Sequence, residues 1–331
     1  MDETVQKPHD RLASALKADM EAVNALIRDR MASEHAPRIP QVTAHLVEAG
    51  GKRLRPLLTL AAARLCGYDG PFHVHLAATV EFIHTATLLH DDVVDESARR
   101  RGRPTANLLW DNKLSVLVGD YLFSRSFQLM VETGSIRVLG ILATASATIA
   151  EGEVLQLTAA QDLATTEATY LQIVRGKTAA LFSAATEVGG VIAGAPDSQV
   201  RALFTYGDAL GVAFQIVDDL LDYAGSAREI GKNTGDDFRE RKVTLPVIKA
   251  VAQASADERA FWNRVIGKGQ QGPGDLEQAV ALMAQHGALV AARDEALVWA
   301  ARAQDALAAL PDAPLRGMLH DLADYVVSRI N

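Results

Sequence analysis

Residues 73–96 read HVHLAATVEFIHTATLLHDDVVDE, a run free of glycine and proline whose apolar positions recur three and four apart. That pattern predicts one long, largely buried helix. Its last turns carry Asp91, Asp92 and Asp95. Asp91 and Asp95, four apart, share a face with Asp92 beside them. Like charges at that spacing oppose helix formation, and the negative end of the helix dipole adds to the cost. A helix that closes this way carries a cost that solvation or a cation must offset.

One such cluster is an ordinary solvated helix end. The pattern returns, however, at Asp218, Asp219 and Asp222 within GVAFQIVDDLLDYA (211–224), again closing an apolar helix, and Gln215 falls on the same arc as these carboxylates. If the two helix ends face each other, six carboxylates converge. Charges ~4 Å apart repel by roughly 4 kcal/mol per pair at an effective dielectric near 20. Cations relieve that cost. Carboxylate oxygens without sulfur or clustered imidazole select a hard ion, and Mg²⁺ takes one or two carboxylates, water and phosphate oxygens. No HExxH motif or cysteine pair points to zinc.

Outward from these helices, the remaining chain has the same character. It has 331 residues, 49% apolar and only 5% aromatic, with Ala, Leu, Val, Glu and Arg in 3.6-residue patterns. Helices are expected at about 10–33, 40–49, 56–66, 73–96, 107–131, 136–160, 167–190, 197–223 and 245–255, with more beyond 257. The expected fold is an all-α, single-domain helical bundle over residues 1–331. Residues 1–35 form an arm packing on the bundle or on a second subunit. A formal charge of −8 argues against nucleic acid as a partner. Cys66 is the single cysteine, so no intrachain disulfide exists. The acidic start carries no secretory signal, and Val138–Ala150 reads as a buried helix rather than a bilayer span. A cytoplasmic protein without a transmembrane segment is expected.

Three basic clusters suit phosphate. GGKRLRP (50–56) sets two glycines and three cations, Lys52 and Arg55 among them, before a helix whose first residue is expected to be Pro56. RRRGRPT (99–105) follows the first aspartate cluster directly, and arginine presents paired donors to phosphate oxygens. Gly176-Lys177-Thr178 resembles the tail of a P-loop, but Leu171 stands where the upstream glycine belongs and no strand precedes it. Lys177 is then a single helix cation. Residues 224–241, with Lys232, Asp236 and Asp237, read as a lid or as a surface loop.

Taken together, GGKRLRP, FIHTATLLHDDVVDESARRRGRPTAN, GKT, AFQIVDDLLDY and GKNTGDDFRERKVTLPVI resemble the trans-type polyprenyl diphosphate synthases, over about Gly50 to Ile248. The resemblance implies an isoprenoid-synthase bundle, a homodimer, and aspartate-rich motifs on opposite walls of a deep central cavity. It assigns Asp91, Asp92, Asp95, Asp218 and Asp222 to Mg²⁺ ions bridging an allylic diphosphate. Asp219 belongs to the same catalytic set. Arg100, Lys177, Thr178, Gln215, Lys232 and Lys242 match contacts to that substrate, and Lys52, Arg55, His84 and Arg101 match the isopentenyl diphosphate site. His84 lies ~20° from Asp91 on a helical wheel. The chain departs from the pattern at Arg241, where many relatives have glycine before the lysine.

The implied reaction condenses isopentenyl diphosphate with an allylic primer such as farnesyl or geranyl diphosphate. Thr87 and Ala86, four and five residues before Asp91, are small where relatives with short products tend to carry aromatics. That predicts octaprenyl to decaprenyl products for quinone side chains, with decaprenyl favoured. Periodicity places Thr87 near the Asp91 face but Ala86 about 140° away, so the role of Ala86 rests on resemblance. Other readings are a shorter-chain synthase, a terpene cyclase and a noncatalytic subunit. The cyclase leaves Lys52 and Arg55 without use, and the noncatalytic subunit predicts damaged aspartate motifs where both are complete.

Overall fold

The computed structural model describes residues 6–48, 51–100, 102–224 and 235–329. Seventeen α-helices are described. They are α1 (Pro8–Ala15), α2 (Lys17–Met31), α3 (Arg38–Glu48), α4 (Leu54–Leu65), α5 (Phe72–Val94), α6 (Ala106–Leu109), α7 (Asn112–Glu132), α8 (Ile136–Ala159) and α9 (Glu167–Val174). There follow α10 (Ala180–Ile192), α11 (Asp197–Ala224), α12 (Asp236–Arg239), α13 (Leu245–Gln253), α14 (Ala256–Trp262), α15 (Asp275–Gln285), α16 (Ala288–Ala306) and α17 (Pro314–Ser328). Among the described residues the only sheet is a two-stranded hairpin, β1 (Arg99–Arg100) with β2 (Arg103–Pro104), Arg100 opposite Arg103. The all-α expectation holds.

The chain divides into two compact units. The first comprises 1–146, 181–207 and 306–322; the second comprises 147–180, 208–305 and 323–331. In the first unit, α5 is buried along most of its length, with Leu76, Phe82, Ile83, Ala86 and Leu89 at 0–1% exposure. Helices α1 and α2 lie against this core through Leu12, Val23 and Ile27. Asp19 takes two hydrogen bonds from Arg64, and His73 approaches the same carboxylate. The arm thus packs on the bundle, and Arg64 holds the Asp19 carboxyl below its usual range. The second unit has its own core, in which Trp262, Val265, Ile266, Met283 and Ala288 are essentially sealed. Helix α14 starts with a capping box between Ser255 and Glu258, which satisfies two otherwise orphaned amides.

Five expectations need correction. The predicted helix 107–131 is two, α6 and α7, parted at Trp110 and Asp111. The first predicted helix breaks at Leu16 into α1 and α2. Helix α4 begins at Leu54, with Pro56 in the first turn, where the amide it lacks is not needed. The predicted helix 167–190 is interrupted by a π-helical turn at Arg175–Ala179. Helix α8, read as buried, is mostly not: only 28% of its most apolar window is covered. It is long and apolar enough to cross a membrane by length and composition alone.

Candidate active site

In the first unit, α5 delivers the first aspartate cluster to its end, where Asp95 is the C-cap and its amide bonds the Asp91 carbonyl at 2.8 Å. The three carboxylates are not equivalent. Asp91 and Asp95 are half-buried, whereas the Asp92 side chain is 1% exposed. Arg100 on the hairpin donates from Nε to Asp92 Oδ1 at 2.8 Å, with Nη2 also 2.8 Å from that oxygen in the ion pair, and Asn107 donates to the Asp92 carbonyl at 3.3 Å. Asp92 Oδ2 is buried with no hydrogen-bond partner. A sealed carboxyl oxygen without a donor is a costly arrangement unless a cation completes it.

About two turns before Asp91, His84 meets Arg55 in the first turn of α4. Arg55 Nη1 donates to His84 Nε2 at 3.2 Å, so that imidazole nitrogen is the acceptor, and the guanidinium lies over the Phe182 ring at 4.5 Å. Arg53, in a left-handed conformation with φ 48°, forms a close ion pair with Glu81 on α5. The Lys52 carbonyl is bonded by His9 of α1. The structure thus draws together Arg55 and His84, while Lys52 is placed only through its carbonyl on His9. Ala86 is fully buried, and Thr87, half-buried, returns its hydroxyl to the His84 carbonyl.

In the second unit, the π turn carries Lys177 and Thr178. It is admitted by a pair of glycines: a Cβ on Gly176 would lie 2.8 Å from the Gly152 Cα, and one on Gly152 2.7 Å from the Lys177 amide nitrogen. The two backbones can touch only because both side chains are absent. Lys177 Nζ bonds Glu153 at 2.8 Å. Thr178 donates to Gln215 Oε1 at 2.7 Å, and Gln215 Nε2 donates to Asp219 Oδ1 at 2.8 Å. Tyr170, buried on α9, donates its hydroxyl to Asp219 Oδ2 at 2.6 Å.

Asp219 is therefore closed on both oxygens by neutral donors. Burial pushes its carboxyl up to about 7, against the lowering effect of Tyr170 and Gln215. Asp218 and Asp222 are half-buried. Asp222 accepts the backbone amides of Asp236 and Asp237 at 3.2 and 2.9 Å, which ties the start of α12 to the aspartate turn. Asp237 is raised well above its ordinary value, first by burial and then by the charge of Asp219. Lys242 Nζ pairs with Glu240 at 2.5 Å and lies 3.8 Å from Asp237. Arg241 before it has φ 57°, in the left-handed region that favours glycine. That conformation accounts for glycine in the relatives, and the arginine here carries its strain.

Arg101 and Lys232, and with Lys232 most of the loop read as a lid, lie outside the described residues. Among the described residues, no three acidic, histidine or cysteine side chains already form a cage for an ion. Asp91, Asp95, Asp218 and Asp222, all half-buried, offer hard carboxylate oxygens of the kind that Mg²⁺ takes together with water and phosphate. Sequence reasoning missed Tyr170, Glu153 and Phe182. Tyr170 left one usable signal, since a tyrosine on an apolar helix face needs a partner for its hydroxyl.

The family model for polyprenyl synthetase matches residues 36–283. The chain is 44% identical over 311 residues to the octaprenyl diphosphate synthase of Escherichia coli, covering 94% of this chain and 96% of that one. A crystal structure of a decaprenyl diphosphate synthase from Rhodobacter capsulatus superposes with a TM-score of 0.95 at 77% identity, covering 98% and 99% of the two chains. A polyprenyl synthase from Caulobacter crescentus, crystallised with calcium and isoprenyl diphosphate, gives 0.93 at 53% identity over 98% of each chain.

Proposed function

This chain belongs to the polyprenyl synthetase family, and on that premise we propose that it condenses isopentenyl diphosphate head-to-tail with farnesyl or geranyl diphosphate, making an all-trans octaprenyl to decaprenyl diphosphate. It is a prenyltransferase of the long-chain type. The observation that carries the site assignment is the buried Asp92 carboxylate, held by Arg100 on one oxygen and left open on the other. Asp91, Asp92, Asp95, Asp218 and Asp222 are the residues that would hold Mg²⁺. Bound there, the ions supply positive charge to the departing diphosphate.

The chain's own residues do the rest. Lys177, Arg100, Thr178 and Gln215 bind the allylic diphosphate, and their positive and hydrogen-bonding groups favour its departure with the C–O bonding pair. Lys52, Arg55 and His84 orient isopentenyl diphosphate so that its double bond attacks the resulting allylic carbon. A proton then leaves the new chain, the released diphosphate being the nearest base. No nucleophilic side chain enters this sequence, and water must be excluded while the cation exists. Lys232, Lys242 and Arg101 belong to the same proposed substrate contacts.

Decaprenyl is the favoured product, serving as a quinone side chain. Small residues at Ala86 and Thr87 leave room for a long tail, so Ala86→Phe is expected to shorten the products. Unchanged chain lengths would remove Ala86 from the account. A homodimer is supported by an apolar surface on α6, α7 and the start of α8, where Leu108, Leu117, Val131 and Ile136 are 60–80% exposed. The cytoplasm is the proposed compartment.

The test is incubation of the purified chain with farnesyl diphosphate and labelled isopentenyl diphosphate, with and without Mg²⁺, followed by product sizing. Label in C40–C50 products only with Mg²⁺ supports the proposal. No Mg²⁺-dependent incorporation would overturn it.

A further inference from the structure

Tyr170 lies eight residues before Thr178, and the two residues grip α11 at successive turns. Tyr170 bonds Asp219 at 2.6 Å, Thr178 bonds Gln215 at 2.7 Å, and Gln215 bonds Asp219 at 2.8 Å along α11. The four side chains form one hydrogen-bonded chain, Tyr170 to Asp219 to Gln215 to Thr178. All of it lies within the second compact unit. Tyr170 is 4% exposed and Asp219 5% exposed, so neither end exchanges freely with solvent.

The geometry matters because of where Asp219 stands on its helix. At ~100° per residue, Asp218 and Asp222 fall ~40° from each other and ~60–100° to one side of Asp219. Fixing Asp219 therefore fixes the azimuth of the two outer carboxylates. The same chain fixes the turn that presents Lys177. We infer that Tyr170 is a positioning residue, whose hydroxyl clamps the Asp218–Asp222 turn of α11 to the Lys177–Thr178 turn so that both address one diphosphate. This inference rests on the prenyltransferase reading above.

The physical basis is the cost of a loose buried carboxylate. With the hydroxyl removed, Asp219 Oδ2 loses its donor inside the protein, a larger penalty than an average lost hydrogen bond. The end of α11 then relaxes by rotating or fraying until that oxygen finds water. Tyrosine to phenylalanine keeps ring size and packing, so Tyr170→Phe isolates the bond.

The experiment pairs two readouts. Amide hydrogen exchange of the ligand-free chain is expected to quicken about tenfold at 176–180 and 215–223 in Tyr170→Phe, with α5 unchanged. Calorimetric affinity for inorganic diphosphate with Mg²⁺ is expected to fall about tenfold. A double-mutant cycle with Thr178→Val is expected to be non-additive, because the second change acts on an already broken chain. In turnover, kcat and the KM for the allylic diphosphate should change while the KM for isopentenyl diphosphate holds. Unchanged exchange in Tyr170→Phe would overturn the clamp. Faster exchange with diphosphate affinity within twofold of wild type would overturn its positioning role. A wild-type chain that binds no diphosphate would instead overturn the functional reading on which that role rests.

Discussion

Asp92 and Asp219 occupy the same place in two copies of one motif, each the second of three aspartates at the end of an apolar helix, yet their surroundings are opposite. Asp92 is held by a cation, Arg100, on a single oxygen, and its other oxygen is buried without a partner. Asp219 is held by two neutral donors, one on each oxygen. The first motif keeps an anionic lone pair open; the second has closed its own. Identical sequence patterns therefore serve different ends. The open Asp92 oxygen suits the proposed cation site, whereas Asp219 ties α9 to α11.

The sharpest way to break this contrast is the matched pair Asp92→Asn and Asp219→Asn. Asp92→Asn removes both the charge facing Arg100 and the open anionic oxygen, and turnover is expected to fall about 100-fold. Asp219→Asn keeps an acceptor within the hydrogen-bonded chain, and a loss of about tenfold or less is expected. Steady-state kinetics at saturating Mg²⁺ check this, and equal losses would erase the distinction.

A smaller effect should appear in the pH dependence of stability of the metal-free chain. The Asp219 carboxyl stands at about 7 when folded, against 3.8 when unfolded. Between those values the folded chain holds a proton that the unfolded chain has released, so stability falls as pH rises through this window. Asp219→Asn should flatten that decline, with Asp237, also raised by burial, accounting for what remains. Thermal melts in chelator from pH 4 to 8 measure it. Parallel curves for the two proteins would contradict the buried state of Asp219.

The smallest effect concerns the approach to the second motif. Arg241 holds φ 57° next to Lys242. Arg241→Gly relieves that strain at the expense of chain entropy, giving a gain of about 1 kcal/mol or less in chemical denaturation. Destabilisation would mean that the Arg241 side chain itself carries the turn.

Most helices were legible in the sequence because apolar spacing of three and four residues records which face is buried, and glycine and proline mark the ends. The interruptions were not. The π turn at Arg175–Ala179 depends on Gly152 meeting Gly176 from another helix, a contact with no local trace. The arginine hairpin hides in a run that composition reads only as charge. Exposure of α8 was misread because apolar content does not say whether a partner covers it. At the site, repeated carboxylates and neighbouring cations were visible as electrostatic conflicts. Tyr170 showed only that its hydroxyl needed a partner, and that partner lies 49 residues along the chain.

The central claim is that both aspartate motifs hold divalent ions on a substrate diphosphate. Counting bound Mn²⁺ by electron paramagnetic resonance, with a non-ionisable allylic thiolodiphosphate present, tests it directly. Asp91→Ala and Asp218→Ala should each bind fewer ions per chain than wild type, while Asp219→Asn should keep the wild-type number. An unchanged count in either alanine variant would contradict the account.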